Sequence, residues 1–265
     1  MRIMYYVGLS MVLASILMPT VVVGVAGQVV IYDNHLSYVD RYGLLRVVGE
    51  VENAGNISVE SVIITANFYD SQGTIVETSH TFAMLSILPP RTKTPFKITV
   101  TTSSPDLISR INRYTLNATF QESKTELMKT LLLLSNDSHT DGFGLLHITG
   151  EVQNNGTLMS SYTEVISTCY GEDGKVVAAN SVLTSPHRLD PGQKAIFDIT
   201  VTDENIVPYE IVIIGKNQSA NISRYEIMAV SKEAILVPEF SSTVAIMLVI
   251  CLSASVMILK RKPDH

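Results

Sequence analysis

The sequence predicts an all-β protein built from two β-sandwich domains in tandem. Residues 43–100 recur without a gap 101 positions later, as residues 144–201. A repeat of this length indicates a duplicated domain, because the units of repeat proteins span roughly 20–50 residues. Within each copy, Gly, Asn, Asp and Pro separate short stretches of alternating apolar and polar residues, as in a sandwich of short strands.

The N-terminus carries an apolar run from residue 3 to residue 25, directly after Arg2. Small residues at Gly24, Ala26 and Gly27 close the run, and this pattern predicts a secretory signal peptide over residues 1–27. The run is long for a signal peptide, so an uncleaved membrane helix is the alternative. In both cases Arg2 favours a cytoplasmic N-terminus, which leaves the repeats outside the cell.

The first predicted strand of each copy ends in the motif Gly-Glu-Val-x-Asn-x-Gly, at residues 49–55 and 150–156. Alternating apolar residues along this strand indicate one buried face. Asn and Gly at its end predict a turn, because both tolerate positive φ. Glu50 and Glu151 fall on the polar face, so we expect them at the strand surface rather than in a catalytic pair.

The remaining predicted elements follow in the same order in both copies. A second strand is predicted at about residues 59–69 of the first copy. Hairpin turns follow at residues 70–73 and 171–174, and proline-containing turns at residues 88–90 and 189–192. Each copy then has a strand, at residues 96–100 and 197–201. Residues 123–129, between the copies, are predicted to form one or two helical turns.

The last strand of the second copy has two candidates. In the first copy, residues 114–120 form the natural last strand. In the second copy, residues 209–215 fit the spacing of the repeat better. Residues 225–230 are the other candidate, because the dipeptide Arg224-Tyr225 resembles Arg113-Tyr114 of the first copy. Both assignments stay open at this point.

A second apolar run, residues 240–259, contains no charged side chain. At about 1.5 Å per residue it spans roughly 30 Å, the thickness of a hydrocarbon core. Lys260, Arg261 and Lys262 follow directly and favour a cytoplasmic C-terminus. The run therefore predicts a transmembrane helix, and a cell-membrane location with the repeats outside.

These elements divide the chain into six predicted parts. They are a signal peptide (1–27), a first sandwich (28–122), a second sandwich (123–230), a short linker (231–239), a transmembrane helix (240–259) and a basic tail (260–265).

The composition excludes some classes of protein. The formal net charge is −6 and the body of the chain has no basic patch, so we expect no nucleic-acid partner.

Of the two cysteines, Cys251 lies in the membrane run, and Cys169 takes the strand position of Phe68 in the first copy. We therefore expect Cys169 to be a small core residue and expect no disulfide between the two.

The repeated motifs resemble those of the FxLYD domain, an immunoglobulin-like sandwich of prokaryotic envelope proteins. The resemblance rests on residues 49–55, on Phe68-Tyr69-Asp70 with Gly73, and on the Leu-x-Pro and Phe-x-Ile-x-Val motifs at residues 88–90 and 96–100. It covers residues 44 to about 120 and 145 to about 215, and the second copy departs from it at Cys169-Tyr170-Gly171. It implies an immunoglobulin-like fold and an extracellular location, and no defined activity.

The C-terminal region is similar to the archaeal PEF-CTERM sorting signal. Pro238, Glu239 and Phe240 precede the apolar run, and the basic tail follows it. The resemblance implies cleavage near the motif by a sortase-like membrane enzyme and attachment of the product to a lipid. A plain membrane anchor with an incidental Pro-Glu-Phe is the alternative.

Candidate modification sites are more numerous than candidate catalytic groups. No two histidines lie at metal-ligand spacing and no catalytic motif occurs, so we expect no metal, no cofactor and no enzymatic activity. We expect His147 to be a surface residue, and Asp137 and Asp141 to belong to turns rather than to a calcium loop. Candidate N-glycosylation sites are Asn56, Asn117, Asn136, Asn155, Asn217 and Asn221.

The sequence therefore predicts a non-catalytic glycoprotein of an archaeal-type cell surface. Its tandem domains would serve adhesion, envelope scaffolding or protein binding, with surface-layer proteins or glycans as partners and lipid contacted through the C-terminal helix. The alternative is a ligand-sensing or accessory subunit of a membrane transporter or receptor. Three tyrosines cluster near the start of the first domain: Tyr32, Tyr38 and Tyr42. We expect them to be half-buried packing residues rather than a binding surface.

Overall fold

The computed structural model describes residues 26–40, 42–101, 105–127, 130–202, 212–213, 216–217, 222–231 and 234–236. Residues 1–25, the sorting motif at Pro238, Glu239 and Phe240, the apolar run 240–259 and the tail Lys260, Arg261 and Lys262 lie outside the described residues. Among the helices within the described ranges, none has the length and apolarity needed to cross a bilayer.

The described chain consists mainly of antiparallel β-strands, which confirms the predicted all-β class. One short helix, α1 (Pro105–Arg110), was not predicted, because six residues are too few to show a helical period. The strands are β1 (Val29–Ile31), β2 (Leu36–Val39), β3 (Leu45–Asn53), β4 (Val59–Tyr69), β5 (Ile75–Phe82), β6 (Ile87–Leu88), β7 (Lys93–Val100), β8 (Arg113–Glu122), β9 (Thr125–Leu127), β10 (Leu131–Thr140), β11 (Leu146–Asn154), β12 (Glu164–Tyr170), β13 (Val176–Leu183), β14 (Lys194–Val201), β15 (Val212–Ile213), β16 (Lys216–Asn217), β17 (Arg224–Val230) and β18 (Ala234–Leu236).

Each repeat folds as two facing sheets. In the first repeat, β1, β2 and β7 pair with β3, and β5, β6 and β8 pair with β4. In the second repeat, β10 and β14 flank β11, and β13 and β17 flank β12. The single strand β10 thus takes the place of β1 and β2. Alternating side chains such as Val47 and Phe68, or Ile148 and Cys169, fill the two interiors, and Cys169 is buried in the core as expected.

The last strand of the second repeat is β17. Arg224 lies opposite Tyr170, as Arg113 of β8 lies opposite Tyr69. In both pairs the guanidinium lies over the tyrosine ring, 3.6 Å and 3.9 Å from the ring centroid respectively. The matched pairs show that the sequence likeness at Arg224, rather than the spacing from residue 209, identified the strand.

The connection between the repeats differs from the prediction. Residues 125–127 form the strand β9 instead of helical turns, and β9 pairs with β18. The strand β18 lies within the predicted linker. After β17 ends, the chain therefore returns to the segment between the repeats, where β18 pairs with β9. Partner strands satisfy the backbone groups of β9, which short-range sequence patterns do not anticipate.

Both chain ends of the described structure therefore meet the connection between the repeats. The amide of Gly27 lies 3.4 Å from a carboxylate oxygen of Glu122, three residues before the start of β9, and Leu236 pairs with Thr125. Asn155 donates its backbone N–H to Thr130 at 2.8 Å. These contacts lie at the Asn53 end of β3 and the Asn154 end of β11, which we call the linker end of each repeat. The opposite end, roughly 30 Å away along a nine-residue strand, is the hairpin end.

The repeats pack sheet against sheet. Leu36 and Val48 lie opposite each other on the outer face of the first repeat, and both join the apolar cluster of the second repeat. Tyr38 belongs to the same cluster. The amide of Val176 donates to the carbonyl of Asn34 at 2.8 Å across the interface. The two sandwiches thus share a buried boundary.

Glu50 is the main correction to the sequence analysis. Its position on the polar face predicted a surface residue, but only 3% of it is exposed because the second repeat covers that face. Its carboxylate accepts hydrogen bonds from Tyr170 Oη at 2.6 Å and from Asn34 Nδ2 at 2.8 Å. Glu151, its counterpart, is partly exposed and pairs with Lys194 at 3.1 Å. The alternation of apolar and polar residues identified the face on which Glu50 lies, but it did not show that the second repeat packs against that face.

Candidate functional site

The most exposed aromatic side chains of the described residues occupy the same turn in both repeats. Tyr42 is 69% exposed between β2 and β3, and Phe143 is 88% exposed between β10 and β11. Each precedes a glycine with positive φ, Gly43 at 78° and Gly144 at 83°. We call the two turns, residues 40–44 and 141–145, the aromatic tips.

A carboxylate holds the backbone of the first tip. Asp40 Oδ1 accepts the N–H groups of Tyr42 at 3.0 Å and Leu44 at 2.8 Å. Its other oxygen accepts from Arg46 Nε at 2.9 Å. The side chain of Arg46 also contacts Thr99. Asp40 is buried, so the tip stands on a fixed polar support.

The second tip has the same support. Asp141 Oδ1 accepts the N–H groups of Phe143 and Leu145, both at 2.9 Å. His147 stands in place of Arg46: its Nε2 lies 3.5 Å from Asp141, and its Nδ1 lies 2.8 Å from Asp198. The ring of His139 stacks on His147 with centroids 5.1 Å apart. His147 therefore lies between two carboxylates beneath the second tip.

These contacts shift two pKa values in opposite directions. Backbone hydrogen bonds, first from Leu145, lower the pKa of Asp141 because they favour its ionised form. The hydrogen bond to Asp198 is the main cause that raises the pKa of His147, with Asp141 adding to it. The second tip is thus supported by a pair whose charge depends on pH, whereas the first is supported by an arginine.

Both tips lie at hairpin ends, away from the connection between the repeats. Tyr42 precedes the Leu45 end of β3, and Phe143 precedes the Leu146 end of β11. Gly27 and Leu236, near the two ends of the described chain, lie at the linker ends. The tips therefore lie at the opposite end of the body from both.

Two grooves lie along the boundary between the repeats. One, of about 280 Å³, is lined by Glu50, Arg91 and Lys93 of the first repeat and by Thr168 and Glu226 of the second, among others. The other, of about 320 Å³, has apolar walls that include Phe82, Leu127 and Val230. Both are large enough to hold a small molecule. Within the described ranges, no three His, Cys, Asp or Glu side chains are placed to hold a metal ion.

The described candidate glycosylation sites are dispersed over the surface. Asn56 and Asn155 are exposed in equivalent turns at the linker ends, while Asn117 on β8 and Asn136 on β10 are exposed on strands at sheet edges. Asn217 lies in β16, and Asn221 is outside the described residues. The structure does not bring these residues together into one site.

The tyrosine cluster has three different environments. Tyr38 is buried beneath the second repeat, and Tyr32 hydrogen-bonds to Glu52 with Lys93 over its ring. Tyr42 alone of the three is largely exposed. The tips were not predicted from the sequence, because the aromatic residue changes from Tyr42 in the first repeat to Phe143 in the second. The signal was present in the shared Asp-x-aromatic-Gly-Leu pattern.

Comparison with known proteins assigns no family. No protein-family model and no curated protein matches the chain. Among solved structures, red sea bream transglutaminase aligns at 9% identity and a TM-score of 0.23, over 77% of this chain and 31% of that one. The exo-β-D-glucosaminidase CsxA aligns at 12% and 0.19, over 76% and 26%. The tandem CBM22-1–CBM22-2 domain of Paenibacillus barcinonensis Xyn10C aligns at 12% and 0.17, over 79% and 78%. The chain spans less than a third of the first two proteins, and such low TM-scores carry no argument.

Proposed function

We propose that this chain is a non-catalytic, membrane-tethered protein of an archaeal-type cell surface, with two immunoglobulin-like sandwiches that bind a protein or glycan of the envelope. The observation that carries the proposal is the position of the aromatic tips. Tyr42 and Phe143 lie at hairpin ends, whereas Gly27 and Leu236, near the two ends of the described chain, lie at linker ends. A tether that continues from the Leu236 end would direct the tips away from the membrane.

The chemistry of the tips supports binding. A large exposed aromatic ring on a fixed turn offers contact area at little cost in conformational entropy. The carboxylates of Asp40 and Asp141 fix these turns through two backbone hydrogen bonds each. Phe143 and Tyr42 therefore have the features of interface anchors.

The boundary between the repeats supports a fixed spacing of the two tips. Leu36, Tyr38 and Val48 are buried against the second repeat, and Glu50 is bonded to Tyr170. A partner that contacts both tips would gain from this arrangement, because the second contact is made at a high effective concentration.

The proposal is tested by measuring retention of cells that express the full chain on isolated envelope material from the same organism. A double Tyr42→Ser, Phe143→Ser variant should weaken binding by about tenfold or more, since aromatic anchors typically contribute about 2 kcal/mol or more. The matched control is Ile75→Ser with Ile196→Ser, which removes side chains that are 52% and 65% exposed outside the tips.

Equal binding by the tip variant and the parent chain would reject the proposal. Binding that survives the tip substitutions but is lost when residues 240–259 are exchanged for an unrelated transmembrane segment would favour the accessory-subunit hypothesis, because the partner would then recognise the membrane segment.

A further inference from the structure

A second exposed patch lies at the linker end of the second repeat. It consists of Leu158, Met159, Tyr162, His187 and Arg188, and we call it the linker-end patch. Leu158 is 56% exposed and Tyr162 is 57% exposed. His187 and Arg188 are also exposed. The proposed function uses none of these residues.

The patch is an ordered arrangement of aromatic, apolar and basic groups. The rings of Tyr162 and His187 stack with centroids 5.6 Å apart and 22° between their planes. Arg188 Nη2 lies 3.2 Å from the sulfur of Met159. Asn154 Nδ2 donates to the carbonyl of Leu158 at 2.8 Å, which fixes the turn. Tyrosine with apolar and basic neighbours is the combination found at the boundary between lipid headgroups and acyl chains.

The position of the patch agrees with that chemistry. Val230, the last residue of β17, lies opposite Glu164, two residues after Tyr162. From strand spacing and chain length, Tyr162 lies within about 12 Å of Val230, where the last strand of the second sandwich ends. The strand β18 then ends at Leu236, and the apolar run begins at Phe240. The patch is thus beside the segment that leads to the predicted membrane span.

We infer that the linker-end patch rests on the outer leaflet of the membrane, with Tyr162 and Leu158 in the headgroup region and Arg188 beside lipid phosphates. The inference rests on the proposed membrane tether. It adds a second contact with lipid, which fixes the tilt of the body and keeps the aromatic tips away from the bilayer. Basic groups near an anionic surface and apolar groups at its boundary both favour such contact.

The absence of tryptophan from the chain allows a direct test. Tyr162→Trp places a single tryptophan in the patch, and Phe143→Trp places one in the second tip as the matched control. Each full-length variant is reconstituted in vesicles of phosphatidylcholine and phosphatidylglycerol, with or without acyl-chain bromination. We expect the brominated lipid to quench the Tyr162→Trp fluorescence at least about twofold more strongly than the Phe143→Trp fluorescence. Leu158→Trp is a second reporter in case the first variant misfolds.

Vesicle flotation separates this inference from the proposed function. If the variants float with the vesicles and neither Tyr162→Trp nor Leu158→Trp is quenched more than the control, the inference is wrong and the tether stands. Stronger quenching of the Phe143→Trp variant would reverse the orientation and reject both the inference and the role of the tips. A chain that does not float rejects the tether and the inference together.

Discussion

The hydroxyl of Tyr170 donates a hydrogen bond of 2.6 Å to Oε1 of Glu50, 120 positions away in the other repeat. Both side chains are buried, with 2% of Tyr170 and 3% of Glu50 exposed. Burial is the main cause that raises the pKa of Tyr170, and the bond to Glu50 adds to it, so the phenol remains the proton donor. This bond joins the two repeats across their boundary.

Replacing Tyr170 with phenylalanine should destabilise the protein by about 1–3 kcal/mol, because a buried carboxylate loses one of its donors. The measurement is the free energy of unfolding in urea. Tyr69→Phe is the matched control, since Tyr69 occupies the equivalent strand position in the first repeat and is only partly buried. We expect that control to stay within about 0.5 kcal/mol of the parent chain. Equal losses in both variants would show that the inter-repeat bond contributes nothing.

A buried asparagine holds the linker end of each repeat. Asn154 Nδ2 donates to the carbonyls of Leu158 at 2.8 Å and Leu189 at 2.9 Å, and its Oδ1 accepts from Gly156 N–H at 3.0 Å. Asn154→Ala leaves these groups without their partner and should cost at least about 2 kcal/mol. Exposed Asn155→Ala is the control, and thermal unfolding of the two variants compares them. A similar melting temperature for both would contradict this role.

Gly150 has a backbone reason to be glycine. An added Cβ would overlap the carbonyl oxygen of Ser135 and lie 2.7 Å from Phe197 Cζ. The carbonyl belongs to the paired strand β10 and cannot rotate away, so Gly150→Ala should destabilise the second repeat by about 1–3 kcal/mol. At Gly142 a Cβ would meet nothing within 4 Å, which makes Gly142→Ala the control. Unfolding monitored by the accessibility of the buried Cys169 thiol, in chains that also carry Cys251→Ser, reports on this repeat directly.

The pair beneath Phe143 predicts a pH dependence. The pKa of His147 is raised above its usual 6.5, chiefly by Asp198. Its ion pairs therefore contribute fully below about pH 6.5, and the contribution disappears as pH rises through the folded-state pKa. The pKa of Asp141 is lowered, so its contribution exists above its unfolded-state pKa and is lost as pH falls through the folded-state value.

We therefore expect the melting temperature of the parent chain to fall more steeply than that of His147→Gln as pH rises from about 6.5. His139→Gln keeps both carboxylate contacts of His147 and is the control. Parallel curves for the parent chain and His147→Gln would show that these contacts do not couple protonation to stability.

The repeat itself explains how much of the fold was predictable. Gly49 and Gly150 face Phe96 and Phe197, and each ring lies 2.7 Å from the position of an added Cβ, so the same contact favours glycine in both motifs. Turn glycines, alternating strands and the core position of Cys169 followed from local chemistry. These features depend on neighbours within one sandwich, and their pattern appears twice in the sequence.

Features that depend on contacts between distant segments were not predictable in the same way. The strand β17 starts 111 positions after β8, not 101, so the spacing of the repeat pointed away from Arg224. Glu50 was misassigned because alternation specifies a face and says nothing about what covers it. A signal did exist: Leu36, Tyr38 and Val48 are apolar, whereas their counterparts Asp137, His139 and Thr149 are polar.

That difference limits how far the stacking of sandwiches can continue. The face that the first repeat buries against the second has, in the second repeat, the ionisable side chains Asp137, His139, His147 and Asp198. A third sandwich docked there in the same way would have to strip water from these groups without gaining the apolar contact that Leu36 and Val48 provide. The two repeats therefore differ in their ability to dock a neighbour through this face. The first repeat has an apolar face that packs against a second sandwich, whereas the same face of the second repeat is polar and favours contact with water.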